Sequence, residues 1–280
     1  MTQYVYLIPK GGFNDTLTSI RKTLAYCEQY NKVLLLNTMR GCYNINWSDY
    51  FCFNRKNMIE DINIINEITK SLETIYPIEI DITDFKNNKL VFRHIRIGNY
   101  SKYVYNDVIL DLPIDNIESQ CIITVSGGIG NGFSMIKELT IKNPLRDIIN
   151  ERYSKLKTPY LAIQVRNTDY KCDYEKIYTE NLDLIHSYKT IYIATDNKEV
   201  LEFYTNKNIN YYNFTSFPTI NSINLHYSNV PPEIKITDVI CDLFILALSE
   251  TLISNSVGGF IRLARDCKSN KHIMRKHLSI

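Results

Sequence analysis

Arg166, Asn167, Thr168 and Asp169 follow directly on an apolar run, Leu161 to Val165. A permanent cation, an amide, a hydroxyl and a carboxylate in four positions serve no purpose inside a core. They suit the carboxyl end of a buried strand, the edge at which open α/β sheets bind ligands. Arginine also fits a phosphate through two parallel hydrogen bonds. On the segment alone, a surface turn with a local Arg166–Asp169 pair explains the residues equally well. The pattern recurs twice. Thr190 to Ala194 ends in Thr195-Asp196-Asn197, and Leu252 to Ser254 ends in Asn255-Ser256-Val257-Gly258-Gly259 ahead of a helical run from Phe260 to Cys267. A strand, a glycine turn and a helix start present backbone N–H groups to a diphosphate.

The elements that must position these turns read as follows. Tyr4 to Ile8 is a strand, residues 9 to 15 a tight loop, Thr16 to Tyr30 a helix and Lys32 to Asn37 a buried strand. Gly11 and Gly12 let a ligand approach the backbone, although a plain turn accounts for them too. The loop is not G-x-G-x-x-G, and Asn37 stands where an acidic residue would close a dinucleotide site. Trp47, with Asp49, Tyr50 and Phe51, forms a loop cluster that either stacks on a sugar or plugs the core. A helix is expected over 59–75, and strands over 90–92, 103–105, 108–110 and 121–125. Ser126 to Gly132 has four glycines but no Lys-Ser/Thr ending, so it reads as a hinge or acceptor-side loop rather than a phosphate loop. Leu145 to Leu156 is an amphipathic helix, and Lys157-Thr158-Pro159 marks a domain boundary, giving domains 1–156 and 157–280.

In the second half, residues 170 to 178 read as a charged loop holding Asp173 and Glu175. Helices are expected near 180–187 and 198–204, a strand over 209–212, and a long loop from 213 to 236 that carries His226. Thr237 and Asp238 cap a helix whose apolar run contains Asp242. Strands alternating with helices imply a second parallel sheet.

The 280 residues allow two domains, and 45% apolar content supports real cores. A net charge of +2 gives no electrostatic case for nucleic acid. No apolar run is long enough for a membrane span, and the N-terminus lacks signal-peptide features. Seven scattered cysteines without a C-x-x-C pair indicate neither a zinc site nor a disulfide framework, so a reducing, cytoplasmic setting is expected.

Val165-Arg166-Asn167-Thr168-Asp169 resembles the V-R-R-T-D and H-x-R-R-x-D motif of the α1,2-, α1,6- and protein O-fucosyltransferase superfamily. Ile191 to Asp196 resembles its Y-x-A-T-D-D motif. Val239 to Leu243, continued by Asn255 to Ala264, resembles its aspartate-bearing helix and following turn, and Gly11-Gly12-Phe13-Asn14 its N-terminal G-G-x-G-N loop. Order and spacing hold over 3–38 and 133–267, while 40–120 give no match. The resemblance implies a GT-B fold, two Rossmann-like α/β domains facing a central cleft. The first is the acceptor side and the second the nucleotide-sugar side, with the last helix able to pack back on the first.

The resemblance further implies inversion at the anomeric carbon without a metal or other cofactor. Arg166 would hold the donor diphosphate, Asp196 the ribose or base region, Asp242 the base, and Asn255, Ser256, Val257, Gly258 and Gly259 the phosphates. Gly12 and Gln164 complete the donor set, Asn14, Asp15 and Trp47 the acceptor side. The base is open among Asp169, Asp173 and Glu175, with Asp15 and His226 as outsiders. Gln164 stands for the motif histidine and Asn167 for its second arginine, so UDP-xylose or another nucleotide-sugar is an alternative to GDP-fucose. The acceptor is expected to be a glycan hydroxyl. A non-catalytic nucleotide-sugar or glycan-binding protein of the same fold is the second reading, and a two-domain solute-binding protein the third. The AT-biased composition is also similar to that of capsid-glycan glycosyltransferases of large algal DNA viruses.

Overall fold

The computed structural model describes residues 2–98, 100–168, 171–218 and 228–280. Asp169 and His226, both weighed as bases, lie outside the described residues. The chain divides into two compact units, Met1–Thr140 and Ile141–Ile280. Each is mixed α/β and is built on a parallel sheet.

The first unit carries five parallel strands in the order Met58–Ile59, Val33–Leu36, Tyr4–Lys10, Cys121–Gly127 and Ile75–Tyr76. Val5 to Ile8 are buried without interruption, as expected of a parallel strand covered on both faces. Tyr6 and Ile8 share a core with Leu35, Ile65, Phe85, Ile123 and Val125. Helix Phe13–Gln29 buries Leu17, Ile20, Leu24 and Cys27, residues at helical spacing.

The helix expected over 59–75 is shorter, Ile62–Ser71. Asp61 accepts a hydrogen bond from the Asn63 N–H and so starts the helix late, leaving Met58–Ile59 and Ile75–Tyr76 to join the sheet. A strand expected over 90–92 is displaced to Arg93–Ile97, where it opens a three-stranded antiparallel sheet with Tyr100–Tyr105 and Val108–Ile109.

The second unit has three parallel strands, with Leu161–Val165 between Ile191–Thr195 and Thr251–Ile253. All five residues of the central strand are buried. Helix Leu145–Ser154 packs against Pro232–Leu248 and Lys271–Leu278, so it lies with the second unit rather than before a boundary at 156. The Pro232–Leu248 helix begins one turn earlier than the Thr237-Asp238 cap read from sequence, because Pro232 at its first position is pre-set for helix. Asp238 is therefore internal, and its carboxylate accepts from Arg152 Nη1 at 2.7 Å. Residues 174–180, expected as loop, form a helix capped by Asp173. The expected strand at 209–212 reduces to a single bridge, Tyr192 with Tyr212. Among the described residues, no helix is long and apolar enough to cross a membrane.

Candidate functional site

The parallel register of the second unit sets Val165 beside Thr195, and Ile163 beside Ile253. The segments that leave the three strands therefore emerge on one edge, and their polar residues meet there.

The Asp196 carboxylate fastens two of these segments together. Its Oδ1 accepts from the Asn167 backbone N–H at 2.6 Å, and its Oδ2 from Thr168 Oγ1 at 2.6 Å. Asn197 Nδ2 donates to the Asn167 carbonyl at 3.1 Å, while its Oδ1 accepts from the Glu199 N–H and caps helix Lys198–Asn206. Burial raises the Asp196 pKa, against the opposing pull of its two donors and of the Arg166 charge. Asp196 therefore sets the backbone from which Arg166 projects.

The third segment is ordered by a hydroxyl relay. Ser254 Oγ donates to Gln164 Oε1 at 2.6 Å and accepts from the Ser256 N–H at 3.1 Å. Ser256 Oγ accepts from the Gly258 N–H at 3.3 Å. Arg265, one helix later, donates to the Ser254 carbonyl at 2.8 Å. Helix Gly259–Ser269 starts at Gly258 without a side-chain cap, and its first-turn N–H groups have no intrahelical acceptor. Such an end favours an anion.

Arg166 joins the two halves of the site. A Cβ placed on Gly258 would stand 3.1 Å from Arg166 Nη1 and 3.5 Å from Ser256 Oγ. The guanidinium thus lies against the Asn255–Gly259 turn, beside the uncapped helix start. Val257 projects from this turn with 66% of its surface exposed. Asn255 Nδ2 donates to the Asp173 carbonyl at 3.1 Å, bringing the Asp173–Glu180 segment to the same edge.

The sequence-derived residues therefore separate. Gln164, Arg166, Asp196, Asn255, Ser256, Val257, Gly258 and Gly259 come together. Asp173 is exposed and spends its carboxylate on the Lys176 N–H at 2.9 Å as a helix cap; Glu175 is exposed in the first turn of that helix. Asp242 lies within helix Pro232–Leu248. Its Oδ1 accepts from the Tyr192 hydroxyl and its Oδ2 from Thr215 Oγ1 at 3.4 Å, so both oxygens serve an internal network. Burial pushes its pKa up to about 7. One turn earlier, Asp238 Oδ2 accepts from the Ser216 N–H at 2.7 Å, so the pair of carboxylates holds residues 215 and 216 on helix Pro232–Leu248.

Ser254, Arg265, Tyr192 and Thr215 were missed. The Ser254–Ser256 spacing is the signature of hydroxyls bonding backbone two residues on. The other three left no local signal, because their partners are remote in sequence.

In the first unit, Asn14 and Asp15 sit in the first turn of helix Phe13–Gln29, after Gly11 at φ 89°. Asn14 is buried and fastens the second glycine loop. Its Nδ2 donates to the Gly130 carbonyl at 3.0 Å, and its Oδ1 accepts from the Gly132 N–H at 3.0 Å. A Cβ on Gly132 would lie 2.5 Å from Leu17 Cβ, and one on Gly128 would lie 2.7 Å from Thr18 Cβ. The glycines of 126–132 thus permit close packing on a helix within one unit, which replaces the hinge reading. Gly12 caps that helix without a side-chain bond. Trp47 is only 1% exposed and packs on Phe13, Phe51 and Phe53 with ring centroids 6.1, 4.5 and 6.1 Å away. It is a core plug and presents no surface to an acceptor.

No protein-family model and no curated sequence matches the chain. Solved structures do. An α1,6-fucosyltransferase, NodZ, co-crystallised with GDP, superposes with a TM-score of 0.60 at 13% identity, covering 95% of this chain and 92% of that one. POFUT1 in complex with GDP gives 0.54 at 11% identity, over 99% and 95%. A variant of Arabidopsis thaliana FUT1 in complex with GDP gives 0.51 at 11%, over 96% and 69%. The resemblance to fucosyltransferases read from four short motifs is therefore also a resemblance of fold.

Proposed function

We propose that this chain is a glycosyltransferase of GT-B type that takes its sugar from a nucleotide-sugar and inverts the anomeric carbon. The observation that carries the reading is the apposition of Arg166 to the Gly258 turn at an uncapped helix start. A guanidinium beside several fixed N–H groups suits a diphosphate. As the glycosidic bond breaks, negative charge accumulates on the departing diphosphate, and preorganised donors stabilise that charge more than they stabilise the ground state. Arg166 is the residue assigned to this work. Asp196 holds its backbone in place, and Gln164, Ser254 and Ser256 shape the turn. The GDP-bound neighbours support a nucleoside diphosphate as the ligand of the second unit.

The acceptor is a glycan hydroxyl in this reading. Glu175 is the carboxylate proposed to take its proton, since Asp173 is occupied as a cap. The donor is GDP-fucose in this reading, with UDP-xylose or another nucleotide-sugar as the alternative; Asp242, which the resemblance assigns to the base, has its carboxylate engaged by Tyr192 and Thr215. The test is release of nucleoside diphosphate from purified protein incubated with GDP-fucose, GDP-mannose, UDP-xylose and UDP-glucose. One donor should be turned over, and Arg166→Ala should lower its rate by at least a hundredfold. Tight binding of one donor with no turnover, with and without added oligosaccharides, would favour a binding protein of the same fold.

A further inference from the structure

The three-stranded antiparallel sheet of the first unit falls within residues 40–120, where no motif of the resemblance reaches. Its outer strand, Arg93–Ile97, is largely exposed. The register pairs His94 with Tyr103 and Arg96 with Ser101, so these four residues share one face, while Arg93, Ile95 and Lys102 lie on the other.

The charges on the two faces are treated differently. Arg93 pairs with Asp107 at 2.6 Å, and Lys102 is bonded to Asp111. Arg96, exposed on the first face, has no acidic partner among the described residues. Beside it, the His94 ring lies 5.3 Å from the Tyr103 ring with 37° between their planes. Two neighbouring rings offer apolar surface with polar tips, the kind of surface on which a sugar ring rests.

This face leads to the ligand edge of the parallel sheet. A Cβ on Gly127 would stand 3.7 Å from the Tyr103 hydroxyl and 3.8 Å from the Lys10 carbonyl. Lys10 and Gly127 end the two central strands, and strand ends of this kind are where open α/β sheets bind ligands. Lys10 Nζ donates to the Arg40 carbonyl at 2.5 Å, with no carboxylate partner among the described residues. Asp15, whose charge acts on Tyr103, supplies an acidic group near that inner end. A strip therefore runs from the ends of the two central strands past the half-buried Tyr103 and the exposed His94 to Arg96, with aromatic surface leading to a cation at its outer end.

We propose that this strip is the acceptor subsite and that the acceptor is an anionic glycan, one carrying a carboxylate or a phosphate that Arg96 grips bidentately. The inference rests on the glycosyltransferase reading and names the substrate class for it. Its test needs no donor. Full-length protein is titrated calorimetrically at low salt with a glucose disaccharide, the same disaccharide ending in glucuronic acid, and the same ending in glucose 6-phosphate. At least one charged member should bind tenfold or more tightly than the neutral one, and the charged member preferred identifies the anion. The preference should shrink with added salt, vanish in Arg96→Ala and partly return in Arg96→Lys. Equal affinities, no binding by any member, or a preference that survives Arg96→Ala would overturn the proposal. GDP binding, measured separately on the unaltered chain, distinguishes the failures: its absence removes the donor reading while a charge preference leaves the strip standing.

Discussion

Arg166 Nη1 lies 3.1 Å from the point where a Cβ on residue 258 would stand. That contact is tight but falls on the far end of a flexible side chain, so the guanidinium can retreat. Gly258→Ala should fold normally and bind GDP a few-fold more weakly. Gly258→Val, which needs more room, should cost about tenfold or more, roughly 1.4 kcal/mol. Calorimetric titration reads both; unchanged affinity in the valine variant would show that the turn and the guanidinium do not act on one ligand.

Asp196 binds Asn167 and Thr168 with separate oxygens, each at 2.6 Å. Removing a half-buried acceptor from two donors costs more than one ordinary hydrogen bond. Asp196→Ala should lower stability by about 2–3 kcal/mol in urea unfolding, and it should raise the KM for the donor because the Arg166 backbone loses its anchor. A loss of stability with an unaltered KM would limit Asp196 to a structural role.

The Asp242 pKa is about 7 in the fold against an ordinary 3.8, chiefly through burial. A raised carboxyl pKa means that folding disfavours the ionised form. Its stabilising contribution is complete at low pH and is lost as pH rises from about 4 through about 7. Asp242→Asn keeps an oxygen for the Tyr192 hydroxyl and carries no charge. The variant should gain thermal stability relative to the parent as pH rises from 5 to about 8, giving a flatter profile. Parallel profiles would mean that the carboxyl does not titrate there.

Trp47 fills the space among Phe13, Phe51 and Phe53. Trp47→Ala should destabilise the protein by about 3–5 kcal/mol, whereas Trp47→Phe should retain most of the stability and leave the acceptor KM unchanged. A selective rise in acceptor KM in the phenylalanine variant would restore a sugar-stacking role.

The site was legible wherever one segment carried both its scaffold and its chemistry. Leu161 to Val165 announces a buried strand by composition, and Arg166 follows it at once, so strand end and cation are read together. The same holds for Thr195-Asp196-Asn197 and for the turn at 255–259. Asp242 was ambiguous for the opposite reason. A carboxylate within an apolar helix is equally compatible with a ligand and with internal donors. Tyr192 and Thr215, the internal donors it meets, are 50 and 27 residues away. Trp47 was ambiguous because an aromatic cluster in a loop has the same sequence signature whether it faces solvent or core. The helix at 174–180 was lost in a run of charged residues whose only local marker was Asp173, read as chemistry when it is a cap. The antiparallel sheet at 93–109 was misplaced at its start, since short exposed strands lack the apolar run that made the buried ones readable.

The central claim is that Arg166 and the Gly258 turn hold one diphosphate, and calorimetric titration of GDP and UDP into the parent, Arg166→Ala and Arg166→Lys tests it most directly. The account predicts saturable binding of one nucleotide by the parent, a loss of at least thirtyfold in Arg166→Ala, and partial recovery in Arg166→Lys, which keeps the charge but not the fork. Equal affinity of all three proteins, or no nucleoside diphosphate binding by the parent, would contradict it.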